Sequence, residues 1–222
     1  MAMSLASTPT LILGGTFDPI HVGHLRAALE AAEAFGAIVR LLPAPVPPHR
    51  PQPWASAADR LAMLKLAVDG QPQLLADDRE LRRAGPSYSV DTLGELRTEL
   101  GADTPLMMLV GADAFADLPS WMRWRELFEL AHVVVLTRPG AVGRTAWSAE
   151  LTALARSRET TATGALLAAA HGSLLCLPVT PLAISATAVR AALQAGRSLR
   201  WLVPEPVLDY IEQHRLYRAT NR

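Results

Sequence analysis

The chain has little cysteine, no net charge and no long apolar run. Cys176 is the one cysteine among 222 residues, so no disulfide can form within the chain, and a reducing, cytoplasmic location is expected. Basic and acidic residues number 21 each, so the formal net charge is zero. This balance argues against a large nucleic-acid-binding surface, which usually needs a basic excess.

Membrane insertion is also disfavoured by the sequence. The longest apolar region, 165–179, is interrupted by His171, Gly172 and Ser173, whereas a spanning helix needs about 20 apolar residues. Residues 1–9 contain no Lys or Arg ahead of the first apolar stretch, which argues against a secretory signal. With 50% hydrophobic and 19% charged residues, the chain can bury a sizeable core.

Short apolar segments alternate with helical patterns along the chain. The expected strands are 10–13, 38–42, 74–76, 106–110, 133–137 and 174–177. The expected helices are 24–35, 56–68, 89–100, 121–130, 148–170, 185–195 and 204–214. Uniformly apolar strands are typical of a parallel sheet covered on both faces. The predicted fold class is therefore α/β: one doubly wound, Rossmann-like domain over 1–222 with a mostly parallel sheet and a C-terminal helical part at about 184–217.

Proline dominates the segment that follows the second expected strand. Six prolines fall between residues 43 and 54, a density that excludes a regular element and predicts a stiff loop. Whether this loop closes over a ligand is left open. The tryptophans Trp54, Trp147 and Trp201 are interpreted as packing residues.

The first chemical motif lies between the first strand and the first helix. It reads Gly14-Gly15-Thr16-Phe17-Asp18-Pro19-Ile20-His21-Val22-Gly23-His24. Glycines let the backbone approach an anion, and a helix N-terminus presents free N–H groups. His21 and His24, three residues apart, would share one face and could donate hydrogen bonds to one phosphate. The alternative is a glycine-rich turn with one solvated and one core histidine.

The second motif opens a late helix. It reads Ile184-Ser185-Ala186-Thr187-Ala188-Val189-Arg190. Ser185 or Thr187 can cap this helix, and Arg190 then lies on its opening turn, which makes a second anion site. The alternative is an ordinary capped helix with a surface arginine.

The two motifs together resemble those of the nucleotidyltransferases marked by H-x-G-H and S-x-T-x-x-R. Within that group the chain looks most similar to the bacterial nicotinate-nucleotide adenylyltransferases, over about residues 11–217. Four further segments support this resemblance: Pro47-Pro48-His49-Arg50, Gly85-Pro86-Ser87-Tyr88-Ser89-Val90-Asp91-Thr92-Leu93, Val110-Gly111-Ala112-Asp113-Ala114 followed by Trp121, and Arg138-Pro139-Gly140.

The resemblance implies transfer of AMP from ATP to nicotinate mononucleotide, which gives deamido-NAD and pyrophosphate. The acceptor phosphate would attack the α-phosphate directly and in line, without a covalent enzyme intermediate. Mg²⁺ would bind through the ATP phosphates, with no dedicated protein metal site.

The resemblance also implies roles for individual residues. The implied catalytic residues are His21, His24 and Arg190. The implied ATP-binding residues are Gly14, Gly15, Thr16, Phe17, His21, His24, His49, Arg50, Gly111, Asp113, Arg138, Ser185, Thr187 and Arg190. The implied mononucleotide-binding residues are Tyr88, Ser89, Trp121 and Met122, although Trp121 competes with Trp124 for the role of core anchor.

Other functions remain open at this stage. The same chemistry could serve nicotinamide mononucleotide or a more distant phosphate acceptor, and the chain could be a non-catalytic nucleotide-binding module. The oligomeric state is not predicted.

Overall fold

A computed structural model describes residues 8–45, 52–138 and 144–218. Six strands form one sheet: β1 (Thr10–Gly15), β2 (Ile38–Pro43), β3 (Leu74–Ala76), β4 (Leu106–Gly111), β5 (His132–Thr137) and β6 (Leu174–Pro178). Their order is β3-β2-β1-β4-β5-β6, and every pair of neighbours is parallel. The predicted α/β fold class, with its largely parallel sheet, is confirmed.

Helices cover both faces of this sheet. Their bounds are α1 (Val22–Phe35), α2 (Ala57–Val68), α3 (Arg79–Arg82), α4 (Ser89–Leu100), α5 (Ala112–Ala116), α6 (Leu127–Leu130), α7 (Ala149–Arg158), α8 (Thr163–Leu167), α9 (Ala186–Gln194) and α10 (Glu205–Gln213). The core on one face includes residues of α1, α2, α9 and α10. The core on the other includes residues of α4, α5, α6 and α7. Among the described helices, none has the length and apolar character that a bilayer span requires.

The side chains of successive strand residues point to opposite faces of the sheet. Leu11 and Leu13 belong to one core cluster, whereas Ile12 between them belongs to the other. Because side chains alternate along a strand and both faces are covered, most positions are apolar, with Arg40 in β2 and His132 in β5 among the exceptions. This burial explains the continuous apolar runs of the sequence.

The centre of the sheet is the point at which the chain reverses its direction of winding. From β1 the chain proceeds outward to β2 and β3, and it then returns to place β4 on the other side of β1. The carboxyl ends of β1 and β4 are therefore adjacent and are followed by connections to opposite faces. Ligands of open α/β sheets bind in the crevice at such a point.

Two helices differ from the sequence expectation. The expected helix 148–170 is divided into α7 and α8, because Thr160 donates its amide to the Leu174 carbonyl at 2.8 Å and Glu159 forms a bridge with Leu174. The backbone between the helices thus bonds to the sheet. The expected helix 121–130 is reduced to a 3₁₀ helix (Trp124–Glu126) and the short α6 (Leu127–Leu130). The φ of 49° at Arg123 is incompatible with a right-handed helix.

Candidate active site

A cleft of about 1250 Å³ opens at the carboxyl ends of β1 and β4. Every described residue of the predicted site lines it: Gly14, Gly15, Thr16, Phe17, His21, His24, Tyr88, Ser89, Gly111, Asp113, Trp121, Met122, Arg138, Ser185, Thr187 and Arg190. His49 and Arg50 lie outside the described residues. Segments more than 170 positions apart in the sequence thus meet at one place.

In the glycine-rich turn, an aromatic ring packs directly against Gly15. A Cβ added to Gly15 would lie 2.8 Å from the Phe17 ring, which is buried and has a φ of 47°. Gly14 has open space around its Cα and is exposed at the cleft. Gly15 is therefore required for packing, whereas Gly14 leaves backbone accessible to a ligand.

The two histidines form a stacked pair at the start of α1. His21 is the N-cap residue and has extended backbone, so it lies just before the helix. The rings are 3.6 Å apart between centroids and inclined by 21°. The Phe17 and His24 rings form a T-shaped contact with centroids 5.1 Å apart. A side chain on Gly23 would come within 3.1 Å of His21 Nδ1. The glycine of H-x-G-H thus makes room for the pair.

Burial keeps both rings neutral in the free protein. It lowers the pKa of His21 from 6.5 to about 4, and the charge of Arg138 acts in the same direction. The pKa of His24 is also well below its usual value, because of burial and then the neighbouring His21 and Arg138. Neither Nδ1 has a hydrogen-bond partner among the described residues. Since a buried N–H without an acceptor is costly, we assign the proton of each ring to Nε2.

These neutral histidines predict an acid-sensitive fold. The unfolded chain binds protons at His21 below pH 6.5, while the folded chain binds them only near pH 4. The free energy of unfolding should therefore fall as the pH drops through this window, by about 2 kcal/mol for His21 alone between pH 7 and 5. Urea titrations at the two pH values measure this change.

A double variant, H21N with H24N, provides the comparison. It should lose less stability than the wild type between pH 7 and 5, and His132, whose pKa is also lowered by burial, should account for part of the remaining fall. Glu80, whose pKa burial raises, contributes equally to both proteins. An identical pH dependence in the two proteins would contradict the assignment.

The second motif lies on the other side of the cleft. Ser185 caps α9 by accepting the Ala188 amide at 3.2 Å, which settles the choice between the two candidate caps. Thr187 Oγ1 accepts from Arg190 Nη2 at 3.3 Å. Arg190 Nη1 donates to the Asp18 carbonyl at 2.5 Å. The guanidinium therefore joins the two motifs across the cleft.

A tyrosine and a tryptophan line the β4 side of the cleft. Tyr88 is the N-cap residue of α4 and provides no side-chain cap. Trp121 is half-buried and packs on the core through part of its surface, whereas Trp124 is only 6% exposed. Trp124 is thus the core anchor. The Trp121 amide donates to the Leu118 carbonyl at 2.9 Å, so it is engaged within the protein.

The remaining described candidates follow β4 and β5. Gly111 is the N-cap residue of α5, and Asp113 is exposed on the first turn of that helix. Arg138 is exposed after β5 and donates to the Leu182 carbonyl at 3.0 Å. In the described part of the chain, no three His, Cys, Asp or Glu residues come together in a way that could hold a metal ion.

Sequence reasoning missed one buried residue that bonds to the lining of the cleft. Arg60 is 1% exposed and donates to the carbonyls of Thr16, Ala44 and Pro45, each at 2.7 Å. It therefore ties the glycine-rich turn to the start of the proline-rich loop. No sequence signal marks it, because an arginine inside an amphipathic helix is usually exposed.

The tryptophans assigned to packing divide into two groups. Trp147 packs on Phe115, with ring centroids 5.0 Å apart, as predicted. Trp54 and Trp201 are 61% and 79% exposed, so the packing interpretation is wrong for both. Trp54 lines the cleft, and its ring lies 5.6 Å from the Arg190 guanidinium carbon.

Sequence comparison finds relatives that match nearly the whole length of the chain. A family model described as "Cytidylyltransferase-like" matches residues 12–192. A Pseudomonas aeruginosa (strain UCBPP-PA14) protein named "Probable nicotinate-nucleotide adenylyltransferase" is 51% identical, over 95% of this chain and 97% of its own length. A protein of the same name from Pseudomonas entomophila (strain L48) is 49% identical over 100% of both chains.

Solved structures share the fold at low identity. A Plasmodium falciparum nicotinic acid mononucleotide adenylyltransferase complexed with NaAD superposes with a TM-score of 0.71 and 15% identity, covering 95% of this chain and 97% of its own. The same Plasmodium enzyme complexed with APC gives a TM-score of 0.69 over the same shares of the two chains. At this identity the likeness concerns the fold alone.

Proposed function

Because the chain belongs to the cytidylyltransferase-like family, we propose that its cleft joins ATP and nicotinate mononucleotide. A phosphate oxygen of the mononucleotide attacks the α-phosphorus of ATP, the bond to the bridging oxygen breaks, and pyrophosphate leaves. The product is deamido-NAD. Near-full-length identity of about 50% to relatives named for this activity supports the assignment. The observation that carries it is that the stacked histidine pair and Arg190 line one cleft at the reversal point of the sheet.

The histidine pair is suited to the α-phosphate. In-line phosphoryl chemistry requires positioning and stabilisation of charge more than a protein nucleophile. His24, held between Phe17 and His21, presents an oriented N–H donor to the oxygens on which charge grows. His21 fixes the orientation of that ring and supplies the second donor.

The α9 motif is suited to the departing pyrophosphate. Ser185 and Thr187 lie at the N-terminus of the helix, where positive charge of the helix dipole favours an anion. Arg190 adds a permanent cation one turn later. A guanidinium that meets phosphate oxygens forms charge-assisted hydrogen bonds.

The adenosine part of ATP would lie beyond β4 and β5. Gly111 allows close approach of the backbone, Asp113 is exposed to accept from a ribose hydroxyl, and Arg138 flanks the same wall. His49 and Arg50, outside the described residues, remain candidates for phosphate contact.

The acceptor's pyridine ring would lie on Trp121. A positively charged ring is attracted to an aromatic face, and the half-buried indole borders the cleft beside Tyr88 and Met122. The first-turn amides of α4, beginning at Ser89, carry no side-chain cap. A helix N-terminus favours a carboxylate over a neutral amide, which supports preference for the nicotinate form.

Mg²⁺ would be held by the substrate. The groups that face the phosphates in this proposal are imidazoles, hydroxyls and a guanidinium, and none of these binds Mg²⁺ as strongly as phosphate oxygens do. Asp18, the carboxylate in the first motif, already accepts from three protein donors. The ion would therefore neutralise the polyphosphate while it remains coordinated mainly by phosphate and water.

We also propose a cytoplasmic location and one nucleotidyltransferase domain spanning the chain. ATP and the mononucleotide are the proposed partners, and neither a nucleic acid nor a membrane is required.

Pyrophosphate release tests the proposed function. The purified protein is incubated with ATP and Mg²⁺, and nicotinate mononucleotide or nicotinamide mononucleotide is supplied as acceptor. Faster release with the acid is expected. Equal rates would remove the assigned specificity, and no release with either would contradict the proposed activity.

The pyridine site predicts a selective effect of W121A. Loss of the aromatic face should raise the KM for the mononucleotide about tenfold while the KM for ATP changes little. Initial rates with each substrate varied in turn measure both values. W201A, which removes an exposed indole outside the cleft, is the control. An equal rise in both constants for W121A would return Trp121 to a packing role.

A further inference from the structure

Asp18 gathers three distant segments of the chain at the edge of the cleft. The residue is 4% exposed. Its Oδ2 accepts the Trp54 amide at 2.8 Å, and its Oδ1 accepts the Ala55 amide at 3.1 Å. Oδ1 also accepts the Tyr217 hydroxyl at 2.8 Å. The carboxylate thus accepts three hydrogen bonds from within the protein.

Arg190 meets the same aspartate. Its Nη1 donates to the Asp18 carbonyl at 2.5 Å and lies 3.7 Å from Oδ2. On the other side the ring of Trp54, whose amide Asp18 holds, lies over the guanidinium at 5.6 Å. Within α9 itself the guanidinium has a long contact, 3.3 Å to Thr187. Asp18 therefore provides its shortest described contact and places its aromatic neighbour.

Arginine has many rotamers, and ordering its side chain costs conformational entropy. When the protein has already restricted the rotamers, a phosphate meets a preorganised cation. The short contact comes from the Asp18 backbone carbonyl, whereas the carboxylate acts on Arg190 through its 3.7 Å approach and through the Trp54 amide that it holds. Both of these carboxylate contacts would be lost if the side chain rotated freely. The hydroxyl of Tyr217, a buried residue after α10, restricts that rotation.

A second cation and a neutral donor also lie near Asp18. Arg60 is close enough to interact with it electrostatically, so the carboxylate lies between two cations. Burial and the negative charge of Asp18 raise the pKa of Tyr217 far above its usual value. Tyr217 is therefore a neutral donor, and the negative charge of Asp18 is balanced by Arg190 and Arg60.

We propose that Asp18 and Tyr217 are positioning residues that act through Arg190, keeping its guanidinium oriented for the departing phosphates. This inference rests on the proposed function. It assigns a role in the site to Tyr217, which follows α10 and is not itself among the residues that line the cleft.

A double-mutant cycle tests whether the two residues act through Arg190. Y217F retains the ring and removes one donor to Asp18. We expect kcat to fall about tenfold, as for a lost hydrogen bond to a charged group, while the KM for the mononucleotide stays within twofold of wild type. In an R190A background, Y217F should cause no further fall in kcat. D18N, which keeps the shape of the side chain, should behave in the same way.

Y210F is the matched control. Tyr210 also donates to a carboxylate, Asp59, at 3.0 Å, but this pair does not contact Arg190. Y210F should leave kcat within twofold of wild type. Thermal unfolding of each variant checks that the fold is intact, and Y217F keeps the test decisive if D18N does not fold.

The outcomes separate the two proposals. If Y217F lowered kcat by the same factor in the wild-type and R190A backgrounds, the positioning role would be overturned, while the protein would still be an active adenylyltransferase. Absence of pyrophosphate release from the wild type would instead contradict the proposed function.

Discussion

The H24A variant should turn over about 10²–10³-fold more slowly than the wild type, as when one preorganised donor to a developing charge is removed. His24 is the half-buried ring of the stacked pair, in contact with both Phe17 and His21. This packing restricts the ring before substrate arrives, so its N–H need not be reoriented during the reaction. Alanine removes the donor without adding bulk.

Steady-state rates of pyrophosphate release measure this effect. The main change should be in kcat rather than in the KM values, because the N–H bonds most strongly to charge that appears in the transition state. H171A, at an exposed histidine outside the cleft, is the control and should keep the wild-type rate. A folded H24A protein with near-normal turnover would disprove the assigned role.

The R60M variant should lower the free energy of unfolding by about 3 kcal/mol. The buried guanidinium donates to three carbonyls at 2.7 Å, and methionine fills a similar volume without any donor. Thr16, Ala44 and Pro45 would then lose partners that the rest of the described chain does not replace. Burial lowers the pKa of Arg60, yet an arginine remains charged at neutral pH.

Urea unfolding, monitored by circular dichroism, measures the loss. R26M is a matched control, because Arg26 is partly exposed and pairs with Glu30 and Glu33 at the surface of α1. Such surface pairs contribute little to stability, so R26M should change the free energy of unfolding far less than R60M does. If R60M were as stable as R26M, the three carbonyl bonds would not be the reason that Arg60 is buried.

Much of the fold could be predicted because local sequence patterns were sufficient to identify most helices and strands. β3 and α4 begin and end at the predicted residues, since their apolar patterns and flanking turn residues coincide. The expected helix 148–170 was wrong because of a distant partner. The segment at Glu159 and Thr160 has a helical composition, but its backbone bonds to Leu174, which no local pattern reveals.

The candidate site divides in a similar way. His21, His24, Ser185 and Arg190 could be named from spacing and resemblance, because H-x-G-H and S-x-T-x-x-R are short and local. Their roles remain proposals, although the structure brings them into one cleft. Trp121 could not be separated from Trp124 by sequence, since both are aromatic residues at helical spacing. Burial alone distinguishes them.

By itself, the sequence determined the α/β architecture, the positions of the H-x-G-H and S-x-T-x-x-R motifs and the family resemblance. These features follow from residue type and short spacing, which local conformational preferences translate directly into structure. Tertiary structure alone decided that Arg60 is buried and that Tyr217 reaches Asp18, 199 residues away. Such contacts depend on how the sheet and helices pack, because a polar side chain becomes a buried partner only when distant segments exclude water from it.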